Sequence, residues 1–222
     1  MMDFVFMLTR SDCTVPDCLD VLEELRPLGL RHVGFKDVGV APEAAAELVA
    51  RIRDAGATSY LEVVSTSAED CAQSARLARD IGVDRLLGGT QVEQILAILD
   101  GSPVHYLPFP GRPFGHPTQL AGTAAEIAAD CRRFQDLGCA GVDLLAYRAT
   151  EADPLELVRA ARAATDGYLL VAGAVSDASR VRALADAGAD AFTVGSAAFD
   201  GSFSPGSGSL HAQLRAVLDA CT

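Results

Sequence analysis

The chain contains a single lysine, Lys36, among 18 basic side chains; the rest are arginine. Arginine stays protonated inside a protein, whereas a buried lysine can release its proton and act as a nucleophile or base. A chain that uses arginine wherever charge alone is wanted raises the question of what this one ammonium is for. The plain alternative is that an arginine-rich composition leaves one lysine by chance, and placement decides between the two. In the run His32–Lys36, side chains alternate between the two faces of a strand. Val33 and Phe35 suit a face covered by helices, which turns Gly34 and Lys36 the other way. The same alternation on Tyr60–Val64 sends Leu61 and Val63 outward and Glu62 inward, and Asp143, between Val142 and Leu144, projects inward from a later strand.

Three kinds of chemistry follow. A lysine beside carboxylates is an imine-forming nucleophile if it is neutral, and a proton donor or electrostatic clamp if the carboxylates hold it charged. Asp37, adjacent to Lys36, Glu62 and Asp143 are the candidate proton-transfer groups; the bland reading of the carboxylates is an ion pair or hydrogen bond within a core. Arginine suits a carboxylate or phosphate, and histidine suits proton transfer near neutral pH. Arg10, Thr90, Arg112, His116, Tyr147 and Arg148 lie just past apolar runs and are the candidate substrate-binding residues, with solvated loop positions as the alternative. His32 and His105, near strand starts, are expected to be structural. The four histidines are scattered and the six cysteines form no CxxC, so no metal centre is expected.

The elements that must position these groups are legible as a repeat. Apolar runs at Phe4–Thr9, His32–Lys36, Tyr60–Val64, Leu86–Gly89, His105–Phe109, Val142–Tyr147, Leu169–Gly173 and Ala191–Gly195 read as buried parallel strands. Before each run after the first stands a glycine, namely Gly29, Gly56, Gly82, Gly101, Gly138, Gly167 and Gly188, as expected where a helix closes. Between them, Ala45, Leu48, Val49 and Ile52 recur at helical spacing, as do Val92, Ile95, Leu96 and Leu99, and Leu210, Leu214, Val217 and Cys221. Thr66 with Glu69 and Thr123 with Glu126 read as capping boxes, and Asp153-Pro154 as a capped start. Strand–helix units in this number, with no linker, make a single-domain (β/α)8 TIM barrel of the α/β class spanning residues 1–222. An open doubly wound sheet is the structural alternative. In such barrels the loops after the strands form the active face, so the long ones at Pro110–Gly122 and Asp200–Ser209 are expected to hold substrate.

A net charge of −12 argues against nucleic acid. No apolar run reaches the ~18 residues of a membrane span, and the N-terminal run lacks the basic start of a signal peptide. Free thiols and a cytoplasmic location follow from the cysteine pattern. The acidic surface is compatible with a monomer or a homodimer.

Residues 169–201 carry the most specific local pattern. Gly173 ends the seventh strand, Ser176-Asp177 opens a helix, and Gly195-Ser196 ends the eighth. Glycines there let backbone N–H groups approach an anion, and a following helix start adds a favourable dipole; the alternative is that they only permit tight turns. The run resembles the phosphate-binding half of the ribulose-phosphate-binding barrel superfamily, which includes phosphoribosyl isomerases, epimerases and sugar-phosphate decarboxylases. That resemblance implies that Gly173, Ala174, Gly195 and Ser196 cradle the phosphate of a small phosphorylated substrate, with no cofactor. A further likeness, an imine-forming lysine near the second strand, is to furan-forming phosphate synthases, although their additional lysines are missing here.

The leading expectation is therefore a carbon–carbon lyase or aldolase-like enzyme acting on a small phosphorylated sugar or keto-acid, with Lys36 as the Schiff-base residue. The alternative is a phosphosugar isomerase or epimerase with carboxylate acid–base pairs and Lys36 stabilising an enediolate. A barrel that binds a phosphorylated ligand without catalysis is the third. The isomerase reading meets two departures: the first strand ends in Thr9-Arg10 with no carboxylate, and the metal-binding residues of ribulose-phosphate 3-epimerase have no counterparts.

Overall fold

In the computed structural model, which describes residues 2–65 and 67–221, parallel strands alternate with helices as the repeat requires. The strands are β1 (Asp3–Met7), β2 (His32–Lys36), β3 (Thr58–Val63), β4 (Arg85–Gly88), β5 (His105–Leu107), β6 (Gly141–Leu144), β7 (Tyr168–Val171) and β8 (Ala191–Val194). They form one 8-stranded sheet running β6-β7-β8-β1-β2-β3-β4-β5. The two outer strands meet through Ala140 N–H to Tyr106 O and Asp143 N–H to Pro108 O, both 3.0 Å, which closes the ring into a barrel. This is the expected α/β TIM-barrel fold.

Around it lie α1 (Cys18–Glu24), α2 (Pro42–Asp54), α3 (Ala68–Ile81), α4 (Val92–Leu99), α5 (Ala124–Asp136), α6 (Pro154–Ala164), α7 (Ala178–Ala187), the short α8 (Ser196–Phe199) and α9 (Leu210–Ala220). The periodic residues Ala45, Leu48, Val49 and Ile52 of α2 are buried against the barrel, as are Val92, Ile95 and Leu99 of α4. Thr123 and Glu126 form the expected capping box, and Asp153 caps α6 ahead of Pro154. Thr66 lies outside the described residues; Ser67 is the cap of α3, accepting the Asp70 N–H.

Some strand ends differ from the sequence expectation for identifiable reasons. The fifth strand stops at Leu107, not Phe109, because Pro108 has no N–H to donate to a ladder. The sixth ends at Leu144, not Tyr147, because the chain coils into a 3-10 turn at Ala146–Arg148. The first ends at Met7: Thr9-Arg10 leaves the barrel and pairs antiparallel with Cys13-Thr14. Residues 110–122, expected to be a loop, contain a second hairpin, Arg112–Phe114 against Gln119–Ala121. Of the seven proposed helix-closing glycines all but Gly167 have positive φ; α6 instead ends on an extended Thr165, whose hydroxyl accepts the Gly167 N–H.

Strand register sets what fills the barrel. At the strand starts the interior is polar and aromatic. Tyr168 donates to Asp3 at 2.9 Å, Tyr60 and His32 lie 3.1 Å apart, and the Arg85 guanidinium stacks 3.9 Å from the Tyr168 ring. Val5, Met7, Leu87, Leu107 and Leu170 form a buried apolar middle. Lys36, Glu62 and Asp143 lie above it at the strand ends, where a barrel keeps its reactive groups.

Candidate active site

The site begins with a turn that the sequence reading passes over. Thr9 pairs with Thr14 and Arg10 with Cys13, which leaves Ser11-Asp12 as a two-residue connection. Both have left-handed backbones, φ 51° and 59°, the signature of a type I′ turn usually made by Asn-Gly or Gly-Gly. Short polar side chains tolerate that region better than bulky ones. The turn folds Asp12 back over the barrel mouth, where it is almost completely buried. The apparent lack of a carboxylate after the first strand is thus corrected: it arrives two residues past Arg10. The signal in the sequence was a short polar pair, Ser-Asp, ending an apolar strand.

Asp12 ties together three distant segments. Arg148 grips it in a two-pronged bond, Nη1 to Oδ2 and Nη2 to Oδ1, both 2.9 Å. Lys36 Nζ donates to Oδ1 at 2.8 Å, and the Thr118 N–H approaches Oδ2 at 3.4 Å. Arg148 Nη1 also reaches the Thr118 carbonyl at 3.0 Å, fastening the 112–121 hairpin to the mouth. Burial raises the Asp12 pKa, but Arg148 and Lys36 outweigh it and hold the carboxyl well below its usual range.

Lys36 is the centre of the cluster. Its Nζ lies 2.8 Å from Asp12 Oδ1 and 3.1 Å from Glu62 Oε1, and its side chain is only 8% exposed. Burial works against its charge, yet the carboxylates of Glu62 and Asp12 more than compensate and raise its pKa above that of an ordinary lysine. It is an ammonium clamped by two anions. Asp12 is saturated by donors, whereas Glu62 contacts Lys36 through Oε1 and lines the cavity. Asp143 is completely buried beneath, with neither oxygen partnered among the described residues. Burial first, and the Glu62 charge second, push its pKa well above the carboxylate range, although Lys36 and Arg148 pull the other way.

Asp12, Lys36, Glu62 and Arg148 line a cavity of about 100 Å³ whose walls include Thr9, Thr193, Gly173–Val175 and Gly195–Ala197. Ala174 has φ 57°, so the non-glycine residues with positive φ among those described (Ser11, Asp12 and Ala174) all belong to the two loops framing this cavity. Local strain of this kind is characteristic of ligand sites. No acceptor among the described residues takes the N–H groups of Gly173, Ala174, Gly195 or Ser196. The two glycines are also needed for packing. A Cβ on Gly173 would lie 2.3 Å from Arg148 Nε, and one on Gly195 would lie 2.7 Å from Thr9 Oγ1. Arg148 therefore occupies the space glycine leaves at 173.

The structure brings together Lys36, Glu62, Arg148, Gly173, Ala174, Gly195 and Ser196 and places Asp143 under them. Tyr147 and His116 border an adjoining groove that shares Arg148 with the cavity. The remaining candidates are engaged elsewhere. Asp37 accepts from Ser74 Oγ at 2.6 Å and from the Val64 N–H at 3.0 Å, pinning β2 to β3 and α3. Burial nonetheless raises its pKa. Arg10 pairs with Asp200 and bonds the Phe199 carbonyl on the exposed rim. Arg112 is held by Glu126 and Glu151 on the hairpin's outer side, and Thr90 meets Gln91 at the start of α4. Asp12, Thr9, Thr118 and Thr193 are the site residues that the sequence reading did not single out.

Comparison with known proteins adds no identity, since no protein-family model and no curated protein matches the chain.

Proposed function

We propose that this barrel catalyses proton transfer beside the carbonyl of a small phosphorylated sugar or keto-acid, an isomerase- or epimerase-type reaction proceeding through an enediolate. One observation carries the reading: Lys36 is an ammonium held between Asp12 and Glu62 at the mouth of the barrel. A fixed positive charge in a site shielded from water stabilises an oxyanion where it develops. Glu62, with one carboxylate oxygen unengaged, takes the carbon-bound proton, the electron pair moves onto the carbonyl oxygen, and Lys36 faces the resulting negative charge. Glu62 then returns the proton to the neighbouring carbon as the hydroxyl proton passes between the two enediolate oxygens, which completes an isomerisation. Inversion at the original carbon requires a second proton donor on the opposite face. Asp12 and Arg148 position Lys36 and take no part in the transfer.

The imine-forming lyase reading requires Lys36 to shed its proton while two carboxylates touch it, so the arrangement supports it less well. The phosphate reading is supported by the unclaimed N–H groups of Gly173, Ala174, Gly195 and Ser196 beside the Arg148 guanidinium. Together with the sequence pattern of residues 169–201, it favours the ribulose-phosphate-binding kind of barrel.

The test is solvent exchange. Phosphorylated aldoses, ketoses and keto-acids are incubated with the protein in deuterated water and followed by NMR, with a parallel borohydride-trapping arm. Deuterium should enter the carbon next to the carbonyl with the native protein, and neither Glu62→Gln nor Lys36→Met should support it. A reduced adduct on Lys36, or binding of these compounds with no exchange, would overturn the proposal.

A further inference from the structure

Asp143 has no part in the reaction written above, yet its surroundings are unusual for a core residue. It is fully buried, faces the barrel interior, and has no hydrogen-bond partner for either oxygen among the described residues. Glu62 from β3, Lys36 from β2 and Arg148 from the turn after β6 all act on it electrostatically, and Asp12 lies beyond the two cations. Lys36 and Arg148 supply two positive charges, and Asp12 and Glu62 two negative ones. The cluster is therefore neutral only while Asp143 keeps a proton. An ionised carboxylate with no donor is among the most costly groups to bury, and the Glu62 charge opposes a second ionisation at Asp143.

We propose that Glu62 and Asp143 form a one-proton carboxyl pair that fixes the charge of the site. The proton resides on Asp143 as long as Glu62 is ionised, and it leaves for solvent when Glu62 is made neutral with no other anion in the cavity, so that in the resting protein Lys36 always has one anion from this pair. The role in turnover rests on the proton-transfer reading; the location of the proton does not. During that reaction the substrate proton moves to Glu62 and its charge to the enediolate oxygen, so the sum is unchanged and Asp143 stays neutral. Asp143 is thus a positioning residue: it spares Lys36 a third anion that would compete with the substrate oxyanion. Charge in such a pair belongs to the pair and not to either residue.

Infrared difference spectroscopy at neutral pH with carboxyl-labelled aspartate reads this without any substrate. The native protein should show the carbonyl stretch of a neutral aspartic acid, and Asp143→Asn should lose it. Glu62→Gln should lose it as well, although Asp143 is intact, because the pair then gives up its proton. Absence of the band in the native protein, or its survival in Asp143→Asn, overturns the assignment. Survival in Glu62→Gln would mean that burial alone keeps Asp143 neutral and would overturn the pairing. The native and Glu62→Gln spectra decide even if Asp143→Asn does not fold. If the infrared result holds but no phosphorylated compound exchanges protons, the pair stands and the proposed reaction falls.

Discussion

Replacing Asp12 with asparagine removes one charge at nearly constant shape and tests whether this turn residue holds the mouth together. Its oxygens receive Lys36 at 2.8 Å, Arg148 twice at 2.9 Å and the Thr118 N–H at 3.4 Å. Removing one partner from a buried ionic network costs about 3–5 kcal/mol, because the partner charges stay buried. Three features place Asp12→Asn at the low end. The amide keeps one acceptor oxygen, Lys36 keeps Glu62, and Arg148 keeps the Thr118 carbonyl with its side chain 22% exposed. The expected loss is about 3 kcal/mol, which lowers Tm by roughly 6–12 °C in a chain of this size. Thermal and urea unfolding of Asp12→Asn, Arg148→Met and the double variant complete a cycle. The two changes should be non-additive by about 2 kcal/mol, within the range for residues sharing one network. If Asp12→Asn stays within about 1 kcal/mol of the native protein, or the two changes simply add, the network is not what secures the mouth.

Four other outcomes follow from the same geometry. Asp12 has a depressed folded-state pKa, so its stabilisation is present above the unfolded value and is lost as pH falls through the folded one; acid titrations should show this loss in the native protein and not in Asp12→Asn. Asp143 has a raised one, so its contribution is present below the unfolded value and lost as pH rises. Asp143→Asn should therefore gain stability relative to the native protein between acid and neutral pH, and equal pH slopes would contradict its burial as a neutral acid. Gly173→Ala should displace Arg148, since the added methyl meets Nε at 2.3 Å on a backbone of φ 78°; unfolding should show a loss of about 1–3 kcal/mol, and unchanged stability would speak against the close packing. Asp37→Asn, in contrast, should leave the pH dependence of the proposed proton exchange unaltered while lowering Tm, because its partners are Ser74 and Val64 and not the cavity.

What the sequence disclosed, and what it hid, divides along physical lines. Strand and helix period is a local property, so the barrel and the inward turn of Lys36, Glu62 and Asp143 could be read from alternation alone. Thr123 and Asp153 were legible as caps because a cap is defined by its nearest neighbours. Asp12 was hidden because its conformation is set by a type I′ turn lacking the usual glycine, and its partners lie 24 and 136 residues away. Asp37 was misplaced for the opposite reason: adjacency to Lys36 suggested a shared site, whereas neighbours in a strand face opposite ways. Arg112 and Arg10 were judged by residue type, but nearby carboxylates on the same rim claim both.

The polar stopper at the strand starts has a consequence for traffic. With Arg85 lodged against Tyr168 and Tyr60, and Asp3 joined to Tyr168 and close to His32, that end of the barrel is filled by interlocked side chains. The Lys36 cluster at the mouth therefore has no second opening through the barrel behind it. Whatever reaches Lys36 comes from the strand-end side, through the cavity lined by Thr9, Arg148 and the 173–175 and 195–197 loops, and leaves the same way. If the proposed reaction takes place, entry and exit compete for one doorway, and a bulky product that lingers there blocks the next substrate. Slow departure would then appear as product inhibition that rises when the Arg148–Thr118 fastening is strengthened and falls when it is loosened.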